Sequence, residues 1–279
     1  MQVQNSTLIG PEELLSLSKT ETLILVDAST KSKYLESHLE GAIHADLDTQ
    51  MADIKPDAAD GGRHPLPTPE QFARTLGDLG ITPDSRVVVY DDKQGGNAAA
   101  RFWWMLRSLG HLNVRVLDGG FQEAVKAGFP VNSTPVSPEK TAPYPAGNWT
   151  LPLADINLVD RASREPGYVI VDVRDENRYK GISEPIDLVA GHIPQAINLP
   201  YTQNLDHEGK FLSAEELKAK YSKAFKDVKP ENIMVHCGSG VTACHTLLAV
   251  AAAGLEMPRL YVGSWSEWSR TGREIVKEG

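Results

Sequence analysis

Cysteine is nearly absent from this chain: its 279 residues include two, Cys237 and Cys244. Two thiols cannot build the disulfide framework of a small secreted domain, and they suit a reducing compartment. The opening stretch MQVQNSTLIGPEELL has neither the basic start nor the apolar core of a secretory signal. The expected location is therefore cytoplasmic. No run approaches the roughly 18 apolar residues that a membrane span needs, so no membrane is expected. Basic charge is in deficit, with 28 Lys and Arg against 37 Asp and Glu, a net charge of −9. That balance argues against nucleic acid or an anionic membrane as partner. No CxxC and no His-x-x-x-His pair occurs, so no metal is expected. Neither GxGxxG nor GxxxxGK[ST] occurs, so no nucleotide cofactor is implied, and the expected cofactor list is empty.

What is present is a soluble globular composition, 41% hydrophobic and 23% charged, in a chain long enough for two domains. The chain repeats itself. Leu23–Ala28 and Tyr168–Val173 both read as buried strands. HLEGAIHADL from His38 matches HIPQAINLPY from His192. Val87–Asp91 matches Ile233–Cys237, and LDGGF from Leu117 matches YVGSW from Tyr261. Matches at such a distance mean a duplicated domain rather than a short solenoid repeat. Strand and helix patterns alternate in each half, with Ser213 placed to cap a helix at Ala214. The expectation is an α/β protein of two tandem units, each a mostly parallel sheet with helices on both faces. The expected boundaries are 1–130 for the first unit, 131–150 for a Pro/Ser/Thr-rich linker and 151–279 for the second.

Cys237 carries the chemistry. It ends the apolar run Ile233–His236 and opens CGSGVTA, after which a helix pattern begins. Ligands of open α/β sheets bind beyond the carboxyl ends of strands. A helix start offers unpaired N–H donors and a positive dipole end. Both features favour negative charge on the sulfur, and the thiolate is the nucleophile. The amides of Gly238, Ser239, Gly240, Val241 and Thr242 can cradle an anion, because the glycines permit close approach. The first copy has Asp91 where the second has Cys237. A carboxylate cannot serve as a sulfur nucleophile, so the first copy's loop is expected to be silent. The second copy also carries extra residues from Arg178 to Asp187.

A duplicated α/β unit with a cysteine loop in its second half only resembles the two-domain rhodanese-type sulfurtransferases, over nearly the whole chain. CGSGVTA is similar to the loop of the 3-mercaptopyruvate sulfurtransferases. Thiosulfate-specific members carry an Arg-Lys pair where this chain has Gly238 and Ser239. GHIPQAIN (Gly191–Asn198) and GSWSEW (Gly263–Trp268) resemble two further family motifs. The resemblance implies sulfur transfer through a Cys237 persulfide, from a small-molecule donor to a thiol acceptor such as thioredoxin or to cyanide, with release of pyruvate. It implies a proton relay of Ser239, His64 and Asp48, and a donor carboxylate held by Arg178. Family members place a second arginine after a Glu-Pro pair. Here Ile186 follows Glu184-Pro185, so either Lys180 or Arg63 substitutes, or the carboxylate is bound more weakly or in a differently shaped site.

Alternative readings are weighed by residue. Thiosulfate is the rival donor, and a non-catalytic sulfur carrier is the more distant alternative. A related phosphatase loop would need arginine at position 243, where Ala243 stands. Asp172 and Asp27 match each other in the two copies, as do His192 and His38, so these residues are expected to hold the fold. Cys244 is expected in the core, whereas Trp265 and Trp268 fit either a pocket wall or the core.

Overall fold

The computed structural model describes residues 6–278. Its packing divides into two units. The first takes residues through 52, 67–150 and 207–211; the second takes 53–66, 151–206 and 212 onward. The expected boundaries differ from this in two places. Residues 131–150 pack on the first unit instead of forming a free spacer: the Thr141 N–H donates to Gly77 O at 2.8 Å and the Tyr144 N–H to Ala73 O at 2.9 Å. The Trp149 ring also lies tilted against Phe72 and Trp104, with centroids 6.0 and 6.2 Å apart. Composition reads this stretch as a linker because it lacks periodicity, but its backbone groups and two aromatics still find partners. The segment 53–66 belongs to the second unit although it lies early in the chain.

The first unit runs β1 (Leu8–Ile9), α1 (Pro11–Leu17), β2 (Ile24–Asp27), α2 (Lys31–Glu36), β3 (His38–Leu39), β4 (Ile43–His44), α3 (Leu47–Gln50), α4 (Pro69–Asp78), β5 (Val87–Tyr90), α5 (Ala99–Ser108), β6 (Val114–Leu117), α6 (Gly120–Lys126) and β7 (Val131–Asn132). The second continues with β8 (Leu153–Ala154), α7 (Ile156–Ala162), β9 (Val169–Asp172), α8 (Glu176–Lys180), β10 (Ile197–Asn198), α9 (Ala214–Phe225), β11 (Ile233–His236), α10 (Thr242–Ala252), β12 (Arg259–Tyr261) and α11 (Ser264–Trp268).

The two main sheets share one topology. Strand order is β1-β6-β5-β2-β4 in the first and β8-β12-β11-β9-β10 in the second, and neighbouring strands are parallel throughout. Both are flanked by helices, as the alternating pattern requires. The central strands, VVVY in β5 and IMVH in β11, are buried at every position. Continuous apolar runs of this kind belong to parallel sheets covered on both faces. α10 has no charged residue and is buried from Ala243 to Val250, so it packs on all sides. Amphipathic α9 starts at a capping box in which Ser213 and Glu216 each bond the other's backbone N–H. Among the described residues no helix is long and apolar enough to cross a membrane.

Candidate active site

Cys237 sits one residue beyond β11, which lies between β9 and β12 in the second sheet. This is the carboxyl edge of a central parallel strand, where such sheets bind ligands. Cys237 is 1% exposed. Its loop is tied down by α11: the Trp265 N–H donates to Cys237 O at 3.0 Å and the Ser266 N–H to Gly238 O at 2.9 Å. The Cys237 N–H in turn donates to Ser264 Oγ at 3.2 Å. The GSWSEW motif thus fixes the backbone around the thiol. The chain then turns through Gly240, at φ +73°, into α10. Among the described residues, the amides of Gly238, Ser239, Val241 and Thr242 take no protein acceptor. Such donors at a helix start favour an anion.

The first unit demonstrates what such a loop binds. Buried Asp91 follows β5 as Cys237 follows β11. Its carboxylate accepts the backbone N–H groups of Lys93, Gly95, Asn97, Ala98 and Ala99 at 2.8–3.1 Å. This loop is closed around its own side-chain carboxyl, which burial pushes up and the N–H donors pull down.

The segment 53–66 brings His64 and Arg63 into the second unit. His64 Nδ1 lies 2.8 Å from Ser239 Oγ, two residues past the thiol. The Arg63 N–H donates to Ser266 Oγ at 3.0 Å, and Arg63 Nε to Asp187 Oδ1 at 3.1 Å. Arg178, on α8, donates through Nε to both oxygens of Glu184 at 2.9 and 3.0 Å and through Nη2 to Asp187 Oδ2 at 3.2 Å. A Cβ on Gly238 would lie 3.0 Å from Arg63 Nη2 and 3.3 Å from Arg178 Nη2. Both guanidiniums therefore converge over the first residue after Cys237. Burial works against charge on Glu184, but Arg178 and the amides of Asp187 and Ile186 hold its carboxyl below the usual range.

Of the residues singled out in the sequence, Cys237 to Thr242, His64 and Arg178 all belong to the second unit. Asp48 does not: it is an exposed residue in the first turn of α3, a helix capped by Asp46. Lys180 Nζ is held by Glu176 at 2.6 Å.

Asp172 is buried beside Arg174, whose Nη2 donates to it at 2.6 Å and also to Gly191 O at 2.6 Å. Burial opposes the Asp172 charge, yet Arg174 keeps that carboxyl low. His38 stacks on Tyr34 at 4.0 Å and bonds its carbonyl. His192 does the same with Tyr179 at 3.8 Å, a scaffold device used twice. Trp265 and Trp268 lie in the second unit's core, their indole N–H groups donating to Val189 O and Glu274 O. Cys244 is a buried free thiol whose Sγ lies 3.4 Å from Gly240 O.

Sequence reasoning overlooked Asp187, Glu184 and Arg270. The two acids lie inside the Arg178–Asp187 segment, where two acids following one arginine were the available signal. Arg270, 3.3 Å from Asp187 Oδ1, gave no signal at all.

Comparison with known proteins agrees with this geometry. The Rhodanese-like domain family matches residues 10–127 and again 155–271. A Pseudomonas aeruginosa protein named "Probable 3-mercaptopyruvate sulfurtransferase" is 39% identical over 88% of this chain and 86% of its own length. Mouse thiosulfate sulfurtransferase is 36% identical over 86% of this chain and 80% of its own. Among solved structures, the 3-mercaptopyruvate sulfurtransferase from Leishmania major superposes with a TM-score of 0.82 at 31% identity, over 96% of this chain and 75% of that one. SseA from Escherichia coli, a 3-mercaptopyruvate sulfotransferase, gives 0.77 at 30% identity, over 94% of this chain and all of that one. With the family's domain matched twice and relatives this similar along most of its length, the chain belongs to the two-domain rhodanese-type sulfurtransferases and is similar to members of both the 3-mercaptopyruvate and the thiosulfate type.

Proposed function

We propose that this enzyme moves sulfur from 3-mercaptopyruvate to a thiol acceptor through a persulfide on Cys237, releasing pyruvate. The observation that carries the reading is the Cys237 loop: a thiol ending a central strand, followed by the amides of Gly238, Ser239, Val241 and Thr242, which among the described residues take no protein acceptor. Asp91 supports it, because the corresponding loop of the first unit turns five N–H donors onto one carboxyl group.

The first half-reaction begins when the Cys237 thiolate attacks the donor sulfur. An S–S bond forms and the C3–S bond breaks. The electron pair of that bond goes to the departing three-carbon unit, which leaves as the enolate of pyruvate and must take up a proton at C3. The outer sulfur stays on Cys237, cradled by the amides of Gly238, Ser239, Gly240, Val241 and Thr242. Ser239 and His64, 2.8 Å apart, are placed to pass the proton. The resemblance adds Asp48 as the third member of the relay. Arg178 takes the donor carboxylate, for which a planar guanidinium is suited. In the second half-reaction an acceptor thiolate, on a small thiol or a protein such as thioredoxin, attacks the outer sulfur and regenerates Cys237. Cyanide can take the sulfur in the same way. The two halves form a ping-pong cycle.

Intact-protein mass spectrometry after incubation with 3-mercaptopyruvate tests the reading. Cys237 is expected to gain one sulfur atom and Cys237→Ser to gain none, while Cys244→Ser keeps most turnover. No added sulfur on Cys237 would leave a non-catalytic carrier or binding module. A higher kcat/KM for thiosulfate than for 3-mercaptopyruvate would reassign the donor.

A further inference from the structure

We infer that the groove between α9 and the β9–β10 edge of the second sheet binds an amphipathic organic acid, with its carboxylate on Lys220 and its apolar body along Ile197 and Leu199. The groove encloses about 740 Å³, which is the size of a small-ligand pocket. Its apolar side is made by Tyr168 and Val169 from the start of β9 together with Ile197 and Leu199, and its cationic side by Lys220, Lys223 and Lys226. No acidic side chain lines it.

The groove is separate from the cysteine loop. It follows β10, the outermost strand of its sheet, and β9 stands between β10 and β11. Val169 pairs with Ile233, the first residue of β11, whereas Cys237 lies past the far end of that strand.

Lys220 is fixed in place. Its Nζ donates to Asn204 Oδ1 at 2.7 Å, and the Tyr221 hydroxyl donates to the same oxygen at 2.6 Å. Asn204 is fully buried. An ammonium carries three N–H donors. Among the described residues, the other two of Lys220 take no protein acceptor. Lys223 and Lys226 are exposed and have no carboxylate partner among the described residues. Elsewhere lysines of this chain do pair: Lys33 with Glu36, Lys126 with Glu123, Lys140 with Asp78 and Lys180 with Glu176. Three cations without an acid are thus gathered on one groove of a chain whose net charge is −9. Burial lowers the Lys220 ammonium only to about 8, so at neutral pH it is still mostly charged. A partly buried charge without a counter-ion is unfavourable, and a bound anion relieves it.

The apolar side selects the rest of the ligand. Covering Tyr168, Val169, Ile197 and Leu199 takes apolar surface out of water, which a bare inorganic anion cannot do. Of these four only Ile197 is exposed, at 37%. The others lie inside the concavity, within reach of a narrow ligand rather than of a second protein's face, which needs roughly 800 Å² from each partner.

Calorimetric titration at pH 7 with 4-phenylbutyrate, and with its neutral isostere 4-phenylbutanamide, tests the site. The acid is expected to bind about tenfold or more tightly than the amide. Lys220→Met keeps the stem and removes the charge. It should weaken the acid about tenfold or more and leave the amide within about twofold. Lys223→Gln combined with Lys226→Gln should weaken the acid about threefold, and Ile197→Asp should weaken both ligands. Lys180→Gln should change neither. Equal affinity for acid and amide, no binding of either, or an acid affinity in Lys220→Met within about twofold of the unsubstituted chain overturns the inference, as does a like loss in Lys180→Gln. Tighter binding of a hexaglutamate peptide than of 4-phenylbutyrate overturns it in favour of an acidic protein segment. A dimer in sedimentation that Lys223→Glu dissolves overturns it in favour of a second copy of the chain. None of these readouts involves sulfur transfer, so their outcome is independent of the donor.

Discussion

At the scale of single residues, partners decide what a side chain can do. Asp91 and Cys237 end equivalent strands, but the carboxylate consumes its loop's donors and the thiol does not. Lys220 shows burial acting alone. It lines a groove with Ile197 and Leu199, away from the cysteine loop, and donates to Asn204 Oδ1 at 2.7 Å. Burial there pushes its ammonium down to about 8 from an ordinary 10.5. The folded value is the lower one, so the fold favours the neutral amine. The cost of holding the charge is complete below about 8 and fades as pH rises towards 10.5. Lys220→Met should therefore be more stable than the unsubstituted chain at neutral pH, with a margin that shrinks across that window. Urea midpoints at a series of pH values measure it, and a margin that grows with pH would refute the account.

At the scale of elements, the cysteine loop depends on one backbone conformation. Gly240 lies at φ +73°, and a Cβ there would come within 2.5 Å of Val262 O. Gly254, beyond the end of α10, has φ +67° and open space around it. Alanine at 254 should cost only the left-handed backbone penalty of about 1–2 kcal/mol and leave turnover intact. Alanine at 240 adds a collision inside the loop, so it should cost more and slow sulfur uptake by Cys237 by about tenfold or more. Equal stability losses and equal turnover in the two variants would show that loop geometry is not limiting. The alternation of apolar and small residues predicts a strand, a loop and a helix at 233–252, because each is set by local pattern. The tie from α11 to the loop is not local, so GSWSEW is visible as a motif without its role.

At the scale of the whole molecule, chain order and packing disagree. Residues 53–66 precede most of the first unit but pack in the second, where they supply the His64 partner of Ser239 and the Arg63 partner of Asp187. A fragment starting at residue 151 keeps Cys237 and loses both contacts. It is expected to show little or no 3-mercaptopyruvate turnover even where circular dichroism finds it folded; full turnover in that fragment would contradict the assignment of His64 and Arg63 to the site. The duplication, the parallel α/β architecture and the strand-end cysteine were determined by sequence alone. Buried strands, capped helices and a strand-end thiol leave local patterns, and a repeat reports itself by self-comparison. Tertiary structure decided which cation faces Gly238, that Asp187 gathers three arginines, and that the apparent linker at 131–150 packs on the first unit. Those outcomes depend on residues far apart in the chain meeting across a fold, and no periodicity or spacing encodes such a meeting.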